Sequence, residues 1–289
     1  MTIADHSIVY PGNRTGFLLI HGLGGTPVEM RFVARGIAQA GYTVHCPQLA
    51  GHCGTYEDLR LTTWTEWYAG VLNAYEKLKA DCDTVIVGGL SAGAILALRL
   101  AANHPDGIAG TVLLAPTLKL DGWGVPWYAT LFNLVRDKYT ADFFPFAERE
   151  PFGIKDPRVR ALVTQAIQSG DSAQAGQMTN PGRVMLELRR LINDVKPRLG
   201  SIKQPALIVH PRDDDRASYL SNAVQLQMNL GGLVDTLVLD DSYHVVTFDR
   251  QRDLVVNRTL AFTNWLEEQQ KVITSRQIAR KAAGAGGRS

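Results

Sequence analysis

A serine flanked by glycines is the residue of this chain best placed for nucleophilic chemistry. Ser91 stands at the centre of Gly89-Leu90-Ser91-Ala92-Gly93, directly after the apolar run Thr84-Val85-Ile86-Val87-Gly88. The β-branched run predicts a buried strand, and the segment from Ala92 to His104 predicts a helix that Pro105 ends. A Gly-x-Ser-x-Gly pattern between a strand and a helix is typical of a sharp turn that exposes a serine hydroxyl for acyl transfer.

A serine hydroxyl becomes a good nucleophile only when a base removes its proton and a carboxylate orients that base. His244 is the candidate base, because it follows a predicted strand ending at Leu239 and no other histidine comes after His210. The carboxylate should follow the preceding strand, where three aspartates stand in a row: Asp213, Asp214 and Asp215. Only one of them can reach His244, and Asp121, after an earlier strand, is a weaker rival.

Acyl transfer also needs hydrogen-bond donors for the oxygen anion that forms during the reaction. The loop His21-Gly22-Leu23-Gly24-Gly25 follows a predicted strand, so its backbone can turn toward Ser91. The backbone N–H groups of Leu23 and Ala92 are therefore the predicted donors.

Three other residues could be mistaken for catalytic groups. His21 is expected to brace the glycine turn. His52, beside Cys53, is expected to be structural, because no second pair of ligands stands at metal spacing. Asp249 is expected to cap the last helix. The chemistry predicted for Ser91 requires neither a metal nor an organic cofactor.

Strand-like and helix-like segments alternate along the chain, which predicts a mostly parallel sheet flanked by helices on both faces. The predicted strands are Phe17–His21, Tyr42–Cys46, Thr84–Gly88, Thr111–Ala115, Ala206–His210 and Val234–Leu239. The predicted helices are Val28–Ala40, Trp64–Leu78, Ala92–His104, Ser218–Leu230 and Arg252–Glu268. The alternation stops between residues 117 and 200, which predicts a helical cap inserted over the sheet edge, with residues 1–116 and 201–270 forming the core.

Aromatic residues concentrate in the predicted cap, since nine of the 23 in the chain lie between Trp123 and Phe152. About half of them are expected to pack the cap against the core. The others are candidates for the wall of an apolar pocket. Five are predicted to bind the substrate: Trp123, Trp127, Tyr128, Phe143 and Phe144.

Composition places this chain of 289 residues among globular α/β proteins with one core and an insertion. The nineteen residues from Lys271 carry five basic and no acidic side chains, leaving 25 basic and 28 acidic residues elsewhere. We predict a disordered basic tail over 271–289 rather than a nucleic-acid-binding segment. Three cysteines are too few for a disulfide framework, and no apolar run suggests a leader or a membrane span, so a cytoplasmic protein without membrane insertion is expected.

Four separated motifs together resemble the α/β-hydrolases of the serine carboxylesterase and monoacylglycerol-lipase branch. They are His21-Gly22-Leu23, Gly51-His52, the Ser91 pentapeptide and His244-Val245-Val246-Thr247. The similarity extends with gaps from Thr15 to Leu266 and is weakest across the predicted cap. It implies that Ser91 is the nucleophile, His244 the base, and Leu23 and Ala92 the oxyanion donors. In such enzymes the acid comes three or four residues after its strand, which selects Asp214.

The resemblance implies hydrolysis of carboxylic esters through an acyl-serine intermediate, without a cofactor. The expected partner is a small-molecule ester with a small to medium apolar acyl or aryl group, monoacylglycerols among them. The same three residues would serve a thioesterase, a carbon–carbon bond hydrolase or an amidase. Proteins of this fold also include small-molecule receptors that lack catalysis.

Overall fold

The centre of the fold is a mostly parallel sheet of seven strands. The computed structural model describes residues 3–168, 176–177 and 179–285. The strands of this sheet are β1 (Ile8–Tyr10), β2 (Thr15–Ile20), β3 (Thr43–Cys46), β4 (Thr84–Leu90), β5 (Gly110–Leu114), β8 (Ala206–Pro211) and β9 (Val234–Leu239), and β6 (Phe146–Ala147) with β7 (Thr179–Asn180) forms a separate antiparallel pair. Their order is β1-β3-β2-β4-β5-β8-β9, in which only β1 runs antiparallel to its neighbour.

Two hydrophobic cores lie on opposite faces of this sheet, because successive strand residues point in opposite directions. Leu18 and Ile20 of β2 pack into one core, and Phe17 and Leu19 of the same strand pack into the other. Helices cover both faces, and their bounds are α1 (Arg31–Gln39), α2 (Tyr56–Arg60), α3 (Trp64–Asp81), α4 (Ala92–Asn103), α5 (Ala129–Phe132), α6 (Lys138–Ala141), α7 (Pro157–Gln168), α8 (Gly182–Val195), α9 (Ala223–Asn229) and α10 (Arg252–Ala285).

The six predicted strands agree with the sheet to within a few residues, and Val234–Leu239 has the predicted bounds. The sequence did not reveal β1, a three-residue edge strand too short for a recognisable alternation. Helix α3 begins at Trp64 because the Thr63 side chain accepts from the backbone N–H of Glu66, whose carboxylate accepts from Thr63 in return.

The interval predicted as a cap contains α5 to α8, the β6–β7 pair and a 3-10 helix over Lys196–Ser201. Helix α8 packs against α4, and its residues Leu188, Leu191 and Val195 belong to the same core as Leu18. The C-terminal end of the predicted cap is therefore continuous with the core beneath it. The boundaries 117–200 stay a prediction.

Helix α10 continues to Ala285, through most of the segment that the charge pattern predicted as a disordered tail. Alanine, arginine, lysine and glutamine, which are common in this segment, favour helices. Residues 286–289 lie outside the described part of the chain. Among the helices that the structure describes, none has both the length and the apolar character needed to cross a membrane.

Candidate active site

Ser91 occupies a strained turn between β4 and α4. Its φ is 55° and its ψ is −113°, which a non-glycine residue adopts only when its surroundings enforce it. A Cβ on Gly93 would lie 2.2 Å from the Ile20 carbonyl oxygen, and a Cβ on Gly89 would lie 2.4 Å from the Gly93 carbonyl carbon. Both glycines are needed because backbone atoms cannot move aside as a flexible side chain could. The turn presents the Ser91 hydroxyl at the carboxyl end of the sheet.

The structure brings Asp214 to the ring of His244. The Nδ1 atom of His244 lies 2.8 Å from Oδ2 and 3.0 Å from Oδ1 of Asp214, and both residues are buried. The backbone N–H groups of Arg216 and Ala217 donate to Oδ1 of Asp214 at 2.8 and 2.9 Å. Since a carboxylate only accepts, the Nδ1 atom carries the ring proton and Nε2 remains an acceptor.

The neighbouring carboxylates have different partners. Asp213 is exposed. Asp215 is buried and accepts from the backbone N–H groups of Gly153 and His244, at 3.1 and 3.3 Å. Asp121 accepts from the backbone N–H of Ser218. Of the four aspartates that the sequence left open, only Asp214 is bonded to the His244 ring.

The buried pair carries opposite pKa shifts. Burial lowers the pKa of His244, but the adjacent Asp214 carboxylate outweighs burial, and the net pKa is raised above its usual value. Burial raises the pKa of Asp214, but the imidazole more than offsets it, and the net pKa is lowered. Asp214 is thus ionised near neutral pH and stabilises the imidazolium that proton uptake would form.

Two histidines form hydrogen bonds with the backbone of the loop from Gly22 to Gly25. His21 donates from Nδ1 to the Gly22 carbonyl at 2.9 Å and accepts at Nε2 from the backbone N–H of Leu49 at 3.2 Å. His52 accepts at Nε2 from the backbone N–H of Gly24 at 3.3 Å. Burial lowers the pKa of His21 to about 3 and that of His52 to about 4, so both rings are neutral braces.

The predicted oxyanion donors belong to two segments near Ser91, since Leu23 lines the same cavity and Ala92 follows Ser91 in the chain. Leu23 lies in the braced loop, and Ala92 opens helix α4. Within the described residues, neither of their backbone N–H groups donates to a protein acceptor.

A cavity of about 190 Å³ opens above Ser91 and His244. Its apolar wall includes Leu120, Phe146, Phe152, Met185, Leu188 and Phe248. Its polar wall includes Glu29, Glu148, Asn180 and Arg216. In the described part of the chain, the side-chain hydrogen bond of Ser91 goes to the hydroxyl of Thr117, at 3.1 Å, and not to His244.

The structure does not bring the five predicted substrate-binding aromatics to this cavity. Trp123, Trp127 and Phe143 are 57%, 78% and 83% exposed. Tyr128 packs against Phe146, and Phe144 packs against Phe132. Aromatic density located the segment, but it could not tell which face of each short helix points inward. Phe146 and Phe152, from the same segment, line the cavity instead, as does Phe248 from the loop after β9.

Two residues of the cavity wall, Glu148 and Arg216, had no distinct sequence signal. The carboxyl of Glu148 and the guanidinium of Arg216 form an ion pair in the cavity wall, and neither residue belongs to a motif. Among the described residues, no group of three or more histidine, cysteine, aspartate or glutamate side chains could hold a metal ion.

Comparison with known proteins gives concordant similarities. The model of the alpha/beta hydrolase family matches residues 17–258. A thermostable monoacylglycerol lipase of Bacillus sp. (strain H-257) is 33% identical over 248 residues, covering 86% of this chain and 89% of that protein. A carboxylesterase of Bacillus subtilis (strain 168) is 25% identical over 271 residues, covering 92% and 98%. A solved structure from work on two metagenome-derived lipolytic enzymes has a TM-score of 0.74 and 28% identity, covering 89% of this chain and 96% of that one.

Proposed function

Because this chain belongs to the alpha/beta hydrolase family and is an enzyme of the lipase and esterase type, we propose that Ser91, His244 and Asp214 hydrolyse carboxylic esters through an acyl-serine intermediate. The observation that carries the proposal is the placement of Ser91 and His244 in one cavity, with the His244 ring bonded to buried Asp214. The predicted fold class, a mostly parallel sheet with flanking helices, is confirmed.

The reaction follows from the positions of these groups. The Ser91 hydroxyl exchanges its contact with Thr117 for one with Nε2 of His244, which takes the proton as Oγ attacks the ester carbonyl. The backbone N–H groups of Leu23 and Ala92 bind the oxyanion, and each such donor contributes about 3 kcal/mol of transition-state stabilisation. The imidazolium then protonates the leaving alcohol. Water, deprotonated by His244, releases the acid from Ser91 and restores the enzyme.

The walls of the cavity favour an ester with an apolar acyl group and a hydroxylated alcohol. Phe152, Met185 and Leu188 offer apolar contact to the acyl chain. Glu148 accepts from Nδ2 of Asn180 at 3.1 Å, and the buried Oδ1 of Asn180 has no partner among the described residues. Glu148 and Arg216, in the polar wall of the cavity, offer contacts to an alcohol hydroxyl. Together with the similarity to the Bacillus monoacylglycerol lipase, this favours monoacylglycerols of small to medium chain length.

A panel of glycerol and p-nitrophenyl esters of graded acyl length, with one thioester and one aminoacyl amide, tests this assignment. We expect hydrolysis of the esters and loss of all turnover in Ser91→Ala, with an unchanged thermal unfolding profile. A fluorophosphonate probe should label the wild type and not the variant. Full esterase activity in folded Ser91→Ala would contradict the mechanism. Failure of well-folded wild type to react with the probe would favour a receptor.

A further inference from the structure

The half-buried carboxyl of Glu29 lies beneath the loop that carries Leu23. Glu29 belongs to a single 3-10 turn, Pro27–Met30, which the Thr26 side chain caps by accepting from the backbone N–H of Val28. Its Oε2 accepts from the backbone N–H of Gly22 at 3.0 Å. No residue of the proposed mechanism requires a carboxylate at this position.

The carboxyl of Glu29 packs against the loop from Gly22 to Gly25. A Cβ on Gly25 would lie 2.2 Å from both carboxyl oxygens of Glu29. A Cβ on Gly22 would lie 3.3 Å from Oε2 and 3.8 Å from the Cβ of Ser91. The carboxyl therefore packs directly against the loop at Gly22 and Gly25, and it lines the same cavity as Ser91.

From these contacts we propose that Glu29 is a positioning residue, which fixes the Gly22 peptide and thereby aims the Leu23 N–H at the ester carbonyl oxygen. Glu29 bonds to the peptide group between His21 and Gly22, and the adjoining peptide group, between Gly22 and Leu23, carries the Leu23 N–H. A rotation of the first peptide group therefore redirects this N–H. The two histidines brace the loop at Gly22 O and Gly24 N, and the Gly22 N–H depends on Glu29. This inference rests on the proposed function, because an oxyanion donor matters only if an oxyanion forms.

The electrostatic surroundings suit this role. Burial raises the pKa of Glu29 to about 7. The carboxylate of Glu148, which also lines the cavity, raises this pKa further, whereas the hydrogen bond from the Gly22 N–H and the charge of His244 lower it. The Cys53 thiol is a further titratable neighbour. A protonated carboxyl keeps one carbonyl oxygen as an acceptor for Gly22 while adding no negative charge beside the oxyanion. A glutamine side chain offers the same acceptor with no charge.

Two substitutions of similar size separate the acceptor from the volume of the side chain. Glu29→Met removes the acceptor, and we expect kcat for p-nitrophenyl butyrate to fall roughly ten- to a hundredfold, less than the full loss of an oxyanion donor, with KM within about threefold. Glu29→Gln keeps the acceptor and should restore kcat to within about threefold of the wild type. The exposed Glu76 of α3 provides the matched control, Glu76→Met, for which both constants should stay unchanged.

Binding of phenylboronic acid provides a second measurement, because its tetrahedral adduct with Ser91 places an oxygen where the oxyanion forms. Its inhibition constant should rise in Glu29→Met by the same factor as kcat falls, and thermal unfolding gives the folded fraction for normalisation. Equal kcat in folded Glu29→Met and Glu29→Gln would overturn the inference, as would equal boronate affinity. If the wild type hydrolyses no ester, the proposed function fails instead, so the two failures are distinguishable.

Discussion

Replacing Asp214 with asparagine probes the arrangement around His244 with the smallest change of shape. Oδ1 of Asp214 accepts from the backbone N–H groups of Arg216 and Ala217, and Oδ2 faces Nδ1 of His244 at 2.8 Å. If the asparagine oxygen takes the Oδ1 position, its amide N–H₂ points at Nδ1. The ring must then accept there, which moves its proton to Nε2, the atom that accepts the proton of Ser91 in the proposed mechanism.

The opposite orientation of the asparagine is also unfavourable. The amide N–H₂ would then face the two backbone N–H groups of Arg216 and Ala217, leaving buried donors unpaired at a cost of about 1–3 kcal/mol each. The first orientation is therefore preferred, and the ring is held in the wrong tautomer. We expect kcat to fall roughly 10³- to 10⁴-fold, since the same change in a serine protease lowers kcat about 10⁴-fold.

The assay is the steady-state hydrolysis of p-nitrophenyl butyrate by Asp213→Asn, Asp214→Asn and Asp215→Asn. The exposed Asp213 is the matched control and should retain kcat within about twofold. Asp215 bonds to the backbone N–H of His244 rather than to its ring, so its variant should lose less activity than the Asp214 variant. A kcat for Asp214→Asn within tenfold of the wild type would refute this reasoning. A loss of equal size in Asp213→Asn would do so as well.

Three further measurements test other parts of the structure. In the proposed mechanism His244 is a base only when neutral, so its raised pKa should place the acid limb of the kcat/KM profile above pH 6.5; a limb below pH 6 would contradict the shift. Asp249 is buried and accepts hydrogen bonds from four backbone N–H groups. Asp249→Ala should therefore lower the free energy of unfolding, measured in urea, by about 3 kcal/mol or more. The control is Asp240→Ala, which removes an exposed ion pair and should change that free energy by less than about 1 kcal/mol. Gly93→Ala should destabilise the protein by several kcal/mol, because the new Cβ would meet the Ile20 carbonyl. Gly70→Ala is the control: Gly70 lies within α3, its Cβ would point into open space, and the change should stabilise the protein by roughly 0.5–1 kcal/mol. Similar unfolding midpoints for the two variants would exclude the steric account of the turn.

The local features of the site were predictable because each depends on a short stretch of sequence. The turn at Ser91 requires two glycines, a preceding apolar strand and a following helix. All of these features lie within about twenty residues of sequence. The predicted strand Val234–Leu239 likewise has the observed bounds, and it identified the loop that carries His244. Asp214 was different, since residue spacing alone left three aspartates open and the resemblance selected one. Side-chain direction after β8, which separates buried Asp214 from exposed Asp213, is a tertiary property.

The walls of the cavity were not predictable, because they are assembled from segments far apart in the chain. Glu29, Glu148, Asn180 and Arg216 come from four different segments and share no spacing or motif. Two residues of the aromatic cluster, Phe146 and Phe152, line the cavity, but the exposure of Trp127 and the inward position of Phe152 depend on how short helices and turns are tilted. Hydrophobic composition carries no information about tilt, since an aromatic side chain can face solvent as well as a pocket.

The cavity wall and the loop that carries His244 share one set of hydrogen bonds, so we expect substrate preference and the proposed proton transfer to be coupled. The Gly153 carbonyl accepts from the backbone N–H of Val245 at 2.8 Å, and the Gly153 N–H donates to Asp215, which also holds His244. Asp249 ties residues 155 and 156 to Tyr243 in the same way. Phe152 and Ile154, which line the cavity, stand on this tethered segment, whereas Met185 and Leu188 stand on α8, away from the His244 loop. We therefore expect a change of volume at Phe152 to displace the backbone that holds His244 and to alter kcat along with KM. We expect a change of volume at Met185, on α8 and outside this hydrogen-bonded segment, to alter KM with less effect on kcat.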